Sequence, residues 1–369
     1  MYKKTYFIII ALIILFFNYI PVYSRGASDN ICPYRIMSLA YSPDGAFIVT
    51  GMDDGEIKIW DLSSRADIIF SANANKITQT YRTINIIKYS PDGRHIVSFG
   101  ANATITIWDG GTGNEISVLE SPRPYFDTLY CDVYWDNEKK QITCIGSGFL
   151  VTWDINTGRI VRKLNGEQFG TASGFKIAIN PDGTYFVRGS WLPQYANTIL
   201  LWNVIENRQE GVFTGRNTVN AIKFSPDGRY ILVGERVTFA RAGDPDSMTG
   251  VIRLLDTHSM TEVYNIFLST IARSFDFSPD GKNFIVTLFD RIILFDTVTG
   301  EEIFTFLNPN NERYTNAIFS PDGRFIAIGL NHNIRIWNIS SGEYIDIMAS
   351  EAEEDCEYER WNQQEGGRQ

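Results

Sequence analysis

Short apolar segments separated by polar turns run through most of this chain. The plainest example is the stretch 86–109, IIKYSPDGRHIVSFGANATITIWD. Its apolar runs are interrupted by Ser90-Pro91-Asp92-Gly93 and end at Trp108-Asp109. This pattern predicts three short strands, because β-branched residues fit a pleated surface and Pro, Asp and Gly fit successive positions of a tight turn.

The same pattern occurs seven times, with 42 to 53 residues between successive turns. The turns begin at Ser42, Ser90, Trp135 (a degenerate copy), Asn180, Ser225, Ser278 and Ser320. The units end at Trp60-Asp61, Trp108-Asp109, Trp153-Asp154, Trp202-Asn203, Leu255-Asp256, Phe295-Asp296 and Trp337-Asn338, and a further strand follows each pair. Four strands per unit at this period predict an all-β fold, a seven-bladed β-propeller of four-stranded antiparallel blades.

The phased turns and Trp-Asp endings resemble the WD40-repeat family over residues 36–348. The resemblance implies a non-catalytic protein-interaction scaffold without cofactor or metal, here of a bacterial-type exported kind. The Gly-His dipeptide that this family places before the first strand is absent from all seven units, although Asp54 and Trp60 stand where two members of its buried network belong. Blade packing is therefore expected to rest on apolar contacts.

Two segments are candidates for completing the last blade. Residues 343–348 belong to the seventh unit itself, whereas 30–35 would come from the other end of the chain and include Pro33. The C-terminal segment is favoured, because proline removes a ladder hydrogen bond from a strand.

The chain ends differ from the repeats. Residues 1–24 contain Lys3-Lys4 and then an apolar run over 7–17, which predicts a secretory signal peptide. An uncleaved N-terminal anchor is the alternative, although the run is shorter than the ~20 residues that span a bilayer. We expect export to the periplasm, cell envelope or exterior, a propeller over 25–349, and an acidic disordered tail over 350–369.

The formal net charge of -10 disfavours nucleic acid as a partner, and a membrane would be reached only through an uncleaved N-terminus. A protein or peptide segment is the expected partner, with a glycan as the alternative. Only three histidines occur, which disfavours acid-base or metal chemistry. The alternatives are a propeller hydrolase or lyase with a central-channel site, where Asp132 and Asp276 are the inner-strand carboxylates, and a structural subunit of an envelope assembly.

Four cysteines allow three pairings. Cys131 and Cys144 flank one predicted hairpin turn and point to the same face of neighbouring strands, and Cys32 and Cys356 lie near the chain ends. Four free thiols are the alternative.

Loops that depart from the repeat are the expected binding region, because packing fixes the blades. An insertion over 235–250, a smaller one over 190–197 and several long connections between units emerge on one face of a propeller. The candidate partner-binding residues on that face are Arg123, Tyr125, Phe126, Trp191, Tyr195, Phe239, Arg241 and Tyr314. Aromatic and Arg side chains dominate binding hot spots, and this mixture suits an acidic peptide segment or a sugar. The alternative is that the aromatics cover the blade ends and the arginines are solvated.

Overall fold

The computed structural model describes residues 35–63, 67–73, 83–100, 105–119, 131–146, 149–165, 175–190, 198–214, 217–237, 250–307, 314–330 and 333–348. All of them lie in one compact unit, Tyr34–Asp355. In these ranges the chain forms strands and turns, and no helix. The predicted signal peptide and acidic tail lie outside the described residues.

The strands fall into consecutive groups of four, one group for each blade. Blades 1 and 2 contain β1 (Ile36–Tyr41), β2 (Phe47–Met52), β3 (Glu56–Asp61), β4 (Asp67–Asn73), β5 (Ile84–Tyr89), β6 (His95–Gly100), β7 (Ile105–Asp109) and β8 (Glu115–Leu119). Blades 3 and 4 contain β9 (Asp132–Asp136), β10 (Gln141–Gly146), β11 (Phe149–Asp154), β12 (Ile160–Asn165), β13 (Phe175–Ile179), β14 (Tyr185–Ser190), β15 (Thr198–Asn203) and β16 (Arg208–Thr214). Blades 5 and 6 contain β17 (Thr218–Phe224), β18 (Tyr230–Arg236), β19 (Gly250–Asp256), β20 (Thr261–Leu268), β21 (Ser274–Phe277), β22 (Asn283–Thr287), β23 (Arg291–Asp296) and β24 (Glu302–Leu307). Blade 7 contains β25 (Asn316–Phe319), β26 (Phe325–Gly329), β27 (Asn333–Asn338) and β28 (Tyr344–Met348).

Each blade is a four-stranded antiparallel sheet in chain order, so the predicted seven-bladed propeller is confirmed. Blade 7 takes its outer strand, β28, from its own repeat. The expectation that the C-terminal segment completes the last blade is therefore confirmed. The ring closes by side-chain packing, in which Ile36 and Leu39 of blade 1 join Ala327 and Ile334 of blade 7 in one buried cluster.

Glycines near the end of the second strand let neighbouring blades approach closely. A Cβ built on Gly51 would lie 2.4 Å from Cγ2 of Ile84 in blade 2. A Cβ on Gly329 of blade 7 would lie 3.0 Å from Cγ2 of Ile36, which is the corresponding contact at the closure of the ring. Because glycine has no Cβ, adjacent blades can pack closely at these two positions.

Two tryptophan side chains are anchored by hydrogen bonds inside their own blades. Trp60 Nε1 donates to Thr50 Oγ1 at 3.1 Å, and Trp108 Nε1 donates to Ser98 Oγ at 2.9 Å. Both bonds lie within a single blade, whereas Val49 and Ile59 of blade 1 pack against Ile87 and Ile96 of blade 2 in one apolar cluster, as expected. A Ser or Thr on the second strand satisfies the buried indole N–H even without the family's histidine.

The degenerate third turn lies later in the chain than the predicted 135–138. Trp135 is inside β9, and the turn occupies 137–140 with Lys140 at φ 55°. This hairpin lacks the Pro and Gly of the other copies, and its residue with positive φ is the last one of the turn.

Cys131 and Cys144 are buried thiols in one apolar cluster and are not joined by a disulfide. The pairing considered for these two cysteines is therefore wrong in this structure, while Cys32 and Cys356 lie outside the described residues. Burial, together with a contact to Cys131, raises the pKa of the Cys144 thiol well above its usual value. Within the described ranges there is no helix long and apolar enough to cross a membrane.

Candidate functional site

The turns between second and third strands, and the connections between blades, lie at the same end of the antiparallel sheets. We call this end the loop face. The Ser-Pro-Asp-Gly turns lie at the other end, which we call the turn face. This arrangement follows from the antiparallel order of every blade.

Most of the predicted binding residues lie outside the described residues, so they stay predictions. They are Arg123, Tyr125, Phe126, Trp191, Tyr195, Phe239 and Arg241. The structure does describe the strand ends that frame the blade 5 insertion, because β18 ends at Arg236 and β19 begins at Gly250. Glu235, expected at the start of the insertion, is part of β18.

Tyr314 requires a correction. Its side chain is fully buried in a cluster that contains Phe306 of blade 6 and Ile328 of blade 7. A buried ring cannot form part of an exposed binding surface, so Tyr314 acts as a core residue between these blades. Tyr314 therefore agrees with the alternative expectation, in which aromatic residues near the loops cover the ends of the blades.

A buried ion network supports the base of the blade 5 insertion. Arg253 Nη1 lies 3.1 Å from Glu235 Oε1, and Arg253 Nε donates to Glu262 Oε2 at 2.5 Å. Asn217 Nδ2 donates to the second oxygen of Glu235 at 3.1 Å. Burial opposes the charge on Arg253, but the two carboxylates outweigh it and raise the pKa of the guanidinium. The network links β18, β19 and β20, and the insertion connects the first two of these strands.

A cation and an aromatic ring meet on the loop face of blade 6. The guanidinium carbon of Arg273 lies 5.7 Å from the ring centroid of Phe289, which exposes 45% of its surface. This distance is typical of a cation–π contact. Both residues are exposed, so the pair is presented to solvent at the end of the sheet.

Arg291 links the two segments that carry this pair. Arg291 Nη1 donates to Asp290 Oδ2 at 2.9 Å, and Nη2 donates to Ser269 Oγ at 2.9 Å. The bonds tie the turn at 288–291 to the connection at 269–273. A cationic and aromatic surface is thereby built on short, ordered segments, which lowers the entropy lost when a partner binds.

Arg273 and Phe289 were not predicted from the sequence. The prediction concentrated on long loops, whereas these two residues lie in short ones. A usable signal was present in Phe289-Asp290-Arg291, since a large apolar residue in a tight hairpin turn has no blade to pack against.

The loop face of blade 1 is acidic. Asp53 Oδ1 accepts the backbone N–H of Arg35 at 2.9 Å, and Asp54 Oδ1 accepts that of Glu56 at 2.9 Å. Burial, followed by the nearby Glu56 and Asp53 carboxylates, raises the pKa of Asp54. Among the described residues, the loop face carries Asp53 and Asp54 beside the exposed Arg35 in blade 1. It carries the exposed Arg236 and Arg273 in blades 5 and 6, where Asp290 is paired with Arg291.

Ion pairs connect inner strands around the central channel. Lys88 of β5 pairs with Asp132 of β9, and Asp132 Oδ2 also accepts the backbone N–H of Ile179 at 2.9 Å. Burial alone would raise the pKa of the Asp132 carboxyl, but the Lys88 ammonium and these hydrogen bonds outweigh burial and lower it. One carboxylate therefore links blades 2, 3 and 4.

A second carboxylate does the same on the other side of the channel. Lys223 Nζ lies 3.1 Å from Asp276 Oδ1, and Asp276 Oδ2 accepts the N–H of Phe319 at 2.9 Å. The Asp276 carboxylate, and more weakly Asp132, raise the pKa of Lys223. Blades 5, 6 and 7 are joined in this way. In the described ranges no three His, Cys, Asp or Glu residues are grouped as a metal site.

The family model for the WD domain, G-beta repeat, matches residues 30–61, 75–109, 207–236 and 301–338. These matches fall on strands of blades 1, 2, 5 and 7, together with the outer strands that precede the last two. The chain carries WD40 repeats. The WD40 propeller also contains three further blades that the sequence pattern and the structure show.

Three relatives illustrate the range of similarity. Periodic tryptophan protein 2 homolog of Mus musculus is 31% identical over 228 residues, covering 61% of this chain and 23% of that protein. A guanine nucleotide-binding protein subunit beta of Zea mays is 23% identical over 328 residues, covering 84% of this chain and 70% of the subunit. Protein groucho of Drosophila melanogaster is 24% identical over 327 residues, covering 84% of this chain and 39% of groucho.

This chain spans only 23% to 28% of the length of the periodic tryptophan protein 2 homologs that it matches. The three relatives come from eukaryotes, so they give no support to the expected bacterial-type exported member.

Proposed function

We propose that this WD40 propeller is a non-catalytic, exported scaffold whose loop face binds an acidic peptide segment of a partner protein. The observation that carries the proposal is the exposed Arg273–Phe289 pair on the loop face of blade 6. Aromatic and Arg side chains are the groups that dominate protein interfaces, and Arg binds carboxylates with well-defined geometry.

The two parts of this surface have complementary properties. Hydrogen bonds to Ser269 and Asp290 hold the blade 6 part in place, and the insertion adds Phe239 and Arg241 by its sequence. A rigid anchor on the same face as the strand ends that frame the longer loop suits recognition of an extended segment. Because Arg236 and Arg273 are exposed in blades 5 and 6, and the nearby Asp290 is already paired with Arg291, an acidic segment is expected to bind on the blade 5 and 6 side.

The alternative of a hydrolase or lyase would place its chemistry in the central channel. A general acid there must hold its proton near neutral pH, which requires a raised carboxyl pKa. The pKa of Asp132 is lowered instead, and Asp276 is engaged by Lys223 and a backbone N–H. These contacts favour a structural role for both carboxylates.

The exported setting rests on residues 1–24. N-terminal sequencing of the protein isolated from its source cells tests it. A mature chain that starts near residue 25, recovered outside the cytoplasm, supports export. An intact Met1 in the cytoplasmic fraction contradicts export but leaves the binding proposal standing.

The binding proposal is tested with two matched double variants of the tagged full chain. Arg273→Ala with Phe289→Ala removes the loop-face pair. Arg324→Ala with Val298→Ala removes an arginine and an apolar residue from the turn face, where both are strongly exposed. Pull-down from source cells, quantified by mass spectrometry, should lose the partner only with the first variant. Equal capture by both variants would contradict the proposal.

The untested loop residues are examined in the same assay. Trp191→Ala with Arg241→Ala should also reduce capture of the same partner. If only this pair reduces capture, the binding surface lies on the long loops and not on the Arg273–Phe289 pair.

A further inference from the structure

The outer strand of blade 7 ends on the loop face. Met348, the last residue of β28, pairs in register with Asn333, the first residue of β27. The turn before Asn333 joins the second and third strands of the blade, so both residues lie at the loop-face end of the sheet. The chain that follows β28 therefore leaves blade 7 on the same face as the Arg273–Phe289 pair.

The segment that follows β28 is strongly acidic. Residues 349–355 read Ala-Ser-Glu-Ala-Glu-Glu-Asp, which places four carboxylates within seven residues. The segment contains no Lys, Arg or His to neutralise these charges. It lies outside the described residues, but the sheet fixes its starting point at the end of β28. Because like charges repel one another, such a segment is stabilised most by a nearby cationic surface.

Blade 7 lies between an acidic and a cationic neighbour, since buried clusters join it to blade 6 on one side and to blade 1 on the other. In blade 1, the loop-face positions 35, 53 and 54 are one arginine and two aspartates. In blade 6, the loop-face segments 269–273 and 288–291 carry two arginines and one aspartate. An acidic segment that leaves blade 7 is therefore favoured on the blade 6 side.

The segment is long enough to reach the Arg273–Phe289 pair. Arg273 directly precedes β21, the inner strand of blade 6. Neighbouring strands lie about 4.8 Å apart and facing sheets about 10 Å apart, which places Arg273 roughly 17 Å from the end of β28. Seven extended residues span at most about 25 Å, and the carboxylates begin about 10 Å along the segment. The acidic positions thus cover the distance to the pair.

Attachment to the propeller makes this contact effective although each ion pair is weak. Ion pairs between exposed groups contribute little individually, so a free peptide of this composition binds poorly. A tethered segment instead has an effective concentration of about the millimolar range at a site within its reach. An acidic segment of a partner has to displace it, so the tethered segment lowers the apparent affinity for the partner without closing the site.

We propose that residues 349–355 fold across the loop face and occupy the Arg273–Phe289 surface in the absence of a partner. The four carboxylates lie against the cationic side of blade 6, away from the aspartates of blade 1. The segment is thereby an internal competitor of the acidic partner segment, and this inference rests on the function proposed above. Neutralising its charges frees the surface.

Matched charge variants of the full chain test the competition. The tail variant carries Glu351→Gln, Glu353→Gln, Glu354→Gln and Asp355→Asn. The control variant removes the same number of negative charges from exposed positions on the turn face, with Glu138→Gln, Glu206→Gln, Glu301→Gln and Glu343→Gln. The probe is a labelled synthetic peptide with the sequence of residues 349–355. Fluorescence anisotropy should show about tenfold tighter binding to the tail variant than to the unchanged chain or the control variant.

Cross-linking then locates the segment. Arg273→Lys keeps the positive charge and supplies an amine that a carbodiimide joins to a carboxylate in contact with it. Arg324→Lys is the matched variant on the turn face, where Arg324 is equally exposed to solvent. Mass spectrometry of the dilute full chain should find residues 351–355 joined to position 273 and not to position 324.

Tighter peptide binding by the tail variant alone, with the cross-link at position 273, supports the proposal. Equal affinities of the tail variant and the unchanged chain, or equal gains in both variants, would overturn it. Cross-linking of the segment to both positions equally, or to neither, would also overturn it. Pull-down of the partner distinguishes this failure from failure of the proposed function. Capture that still depends on Arg273 and Phe289 retains the loop-face site, whereas capture independent of them removes both proposals.

Discussion

Pro321 of blade 7 packs against Gly45 of blade 1, where a Cβ built on the glycine would lie 3.7 Å from the proline Cδ. The same proline–glycine contact joins the turns of other successive blades. The other pairs are Pro43 with Gly93, Pro181 with Gly228, Pro226 with Gly281 and Pro279 with Gly323. The repeated turn motif therefore contacts the next blade as well as closing its own hairpin, and ring closure uses the same contact.

We predict that two types of glycine in this fold differ in their tolerance of alanine. Gly45→Ala should lower the free energy of unfolding by about 1 kcal/mol, because only the positive φ of 73° opposes the new side chain. Gly51→Ala should cost roughly 2 to 3 kcal/mol, because its Cβ would overlap Ile84 of blade 2. Urea denaturation measures both values.

Gly342→Ala is the control for this comparison. Its φ is 70° and nothing lies within 4 Å of a built Cβ. Its loss of stability therefore measures the cost of the positive φ alone. A Gly51→Ala protein as stable as the Gly342→Ala protein would contradict the account of blade stacking.

The channel ion pairs should contribute to stability in a pH-dependent way. The pKa of Asp132 is lower in the folded protein, so its contribution is complete above the unfolded-state pKa and is lost as the pH falls through the folded value. Asp132→Asn should therefore destabilise the protein at neutral pH, by about 2 kcal/mol, and have little effect in strong acid. Thermal unfolding across the acid range measures this, with Asp290→Asn as an exposed control. A pH-independent difference would refute the assignment.

The buried thiols should resist modification. Because burial raises the pKa of Cys144, its reactive thiolate is scarce, and iodoacetamide should label it only when the protein unfolds. Peptide mass spectrometry with and without urea measures the labelling. Rapid labelling of Cys144 in native buffer, or its recovery in a disulfide, would show that the Cys131–Cys144 region differs from this structure.

Tyr314 and Phe289 should respond to alanine in opposite ways. Tyr314→Ala leaves a cavity between blades 6 and 7 and should cost about 3 kcal/mol or more in unfolding free energy. Phe289→Ala lies on the surface and should change stability by only about 0.5 kcal/mol. The comparison tests whether Tyr314 belongs to the core and Phe289 to the loop face.

The fold could be predicted because it is repeated. Each unit by itself contains a weak turn signal, but seven phased copies constrain the strand order, the blade number and the completion of blade 7. The degenerate third turn lies later in the chain than predicted, because the Trp135 pattern has no Pro or Gly to fix its register. The Trp60 and Trp108 bonds were missed because a single Ser or Thr on a neighbouring strand gives no periodic signal.

The candidate site was less predictable, because loops have no repeat to anchor them. Tyr314 looked like a loop residue by its position between units, yet it packs inward at the start of blade 7. Arg273 and Phe289 come from segments that match the ordinary loop length. Their importance depends on a contact between two segments, which the sequence order alone does not reveal.

Hydrogen–deuterium exchange of the captured complex tests the central claim most directly. Binding of the partner should slow amide exchange in peptides that cover 236–250, 269–273 and 288–291 on the loop face. Peptides that contain the Ser-Pro-Asp-Gly turns should exchange at the rate of the free protein. Protection confined to those turns, with unchanged exchange on the loop face, would contradict the account.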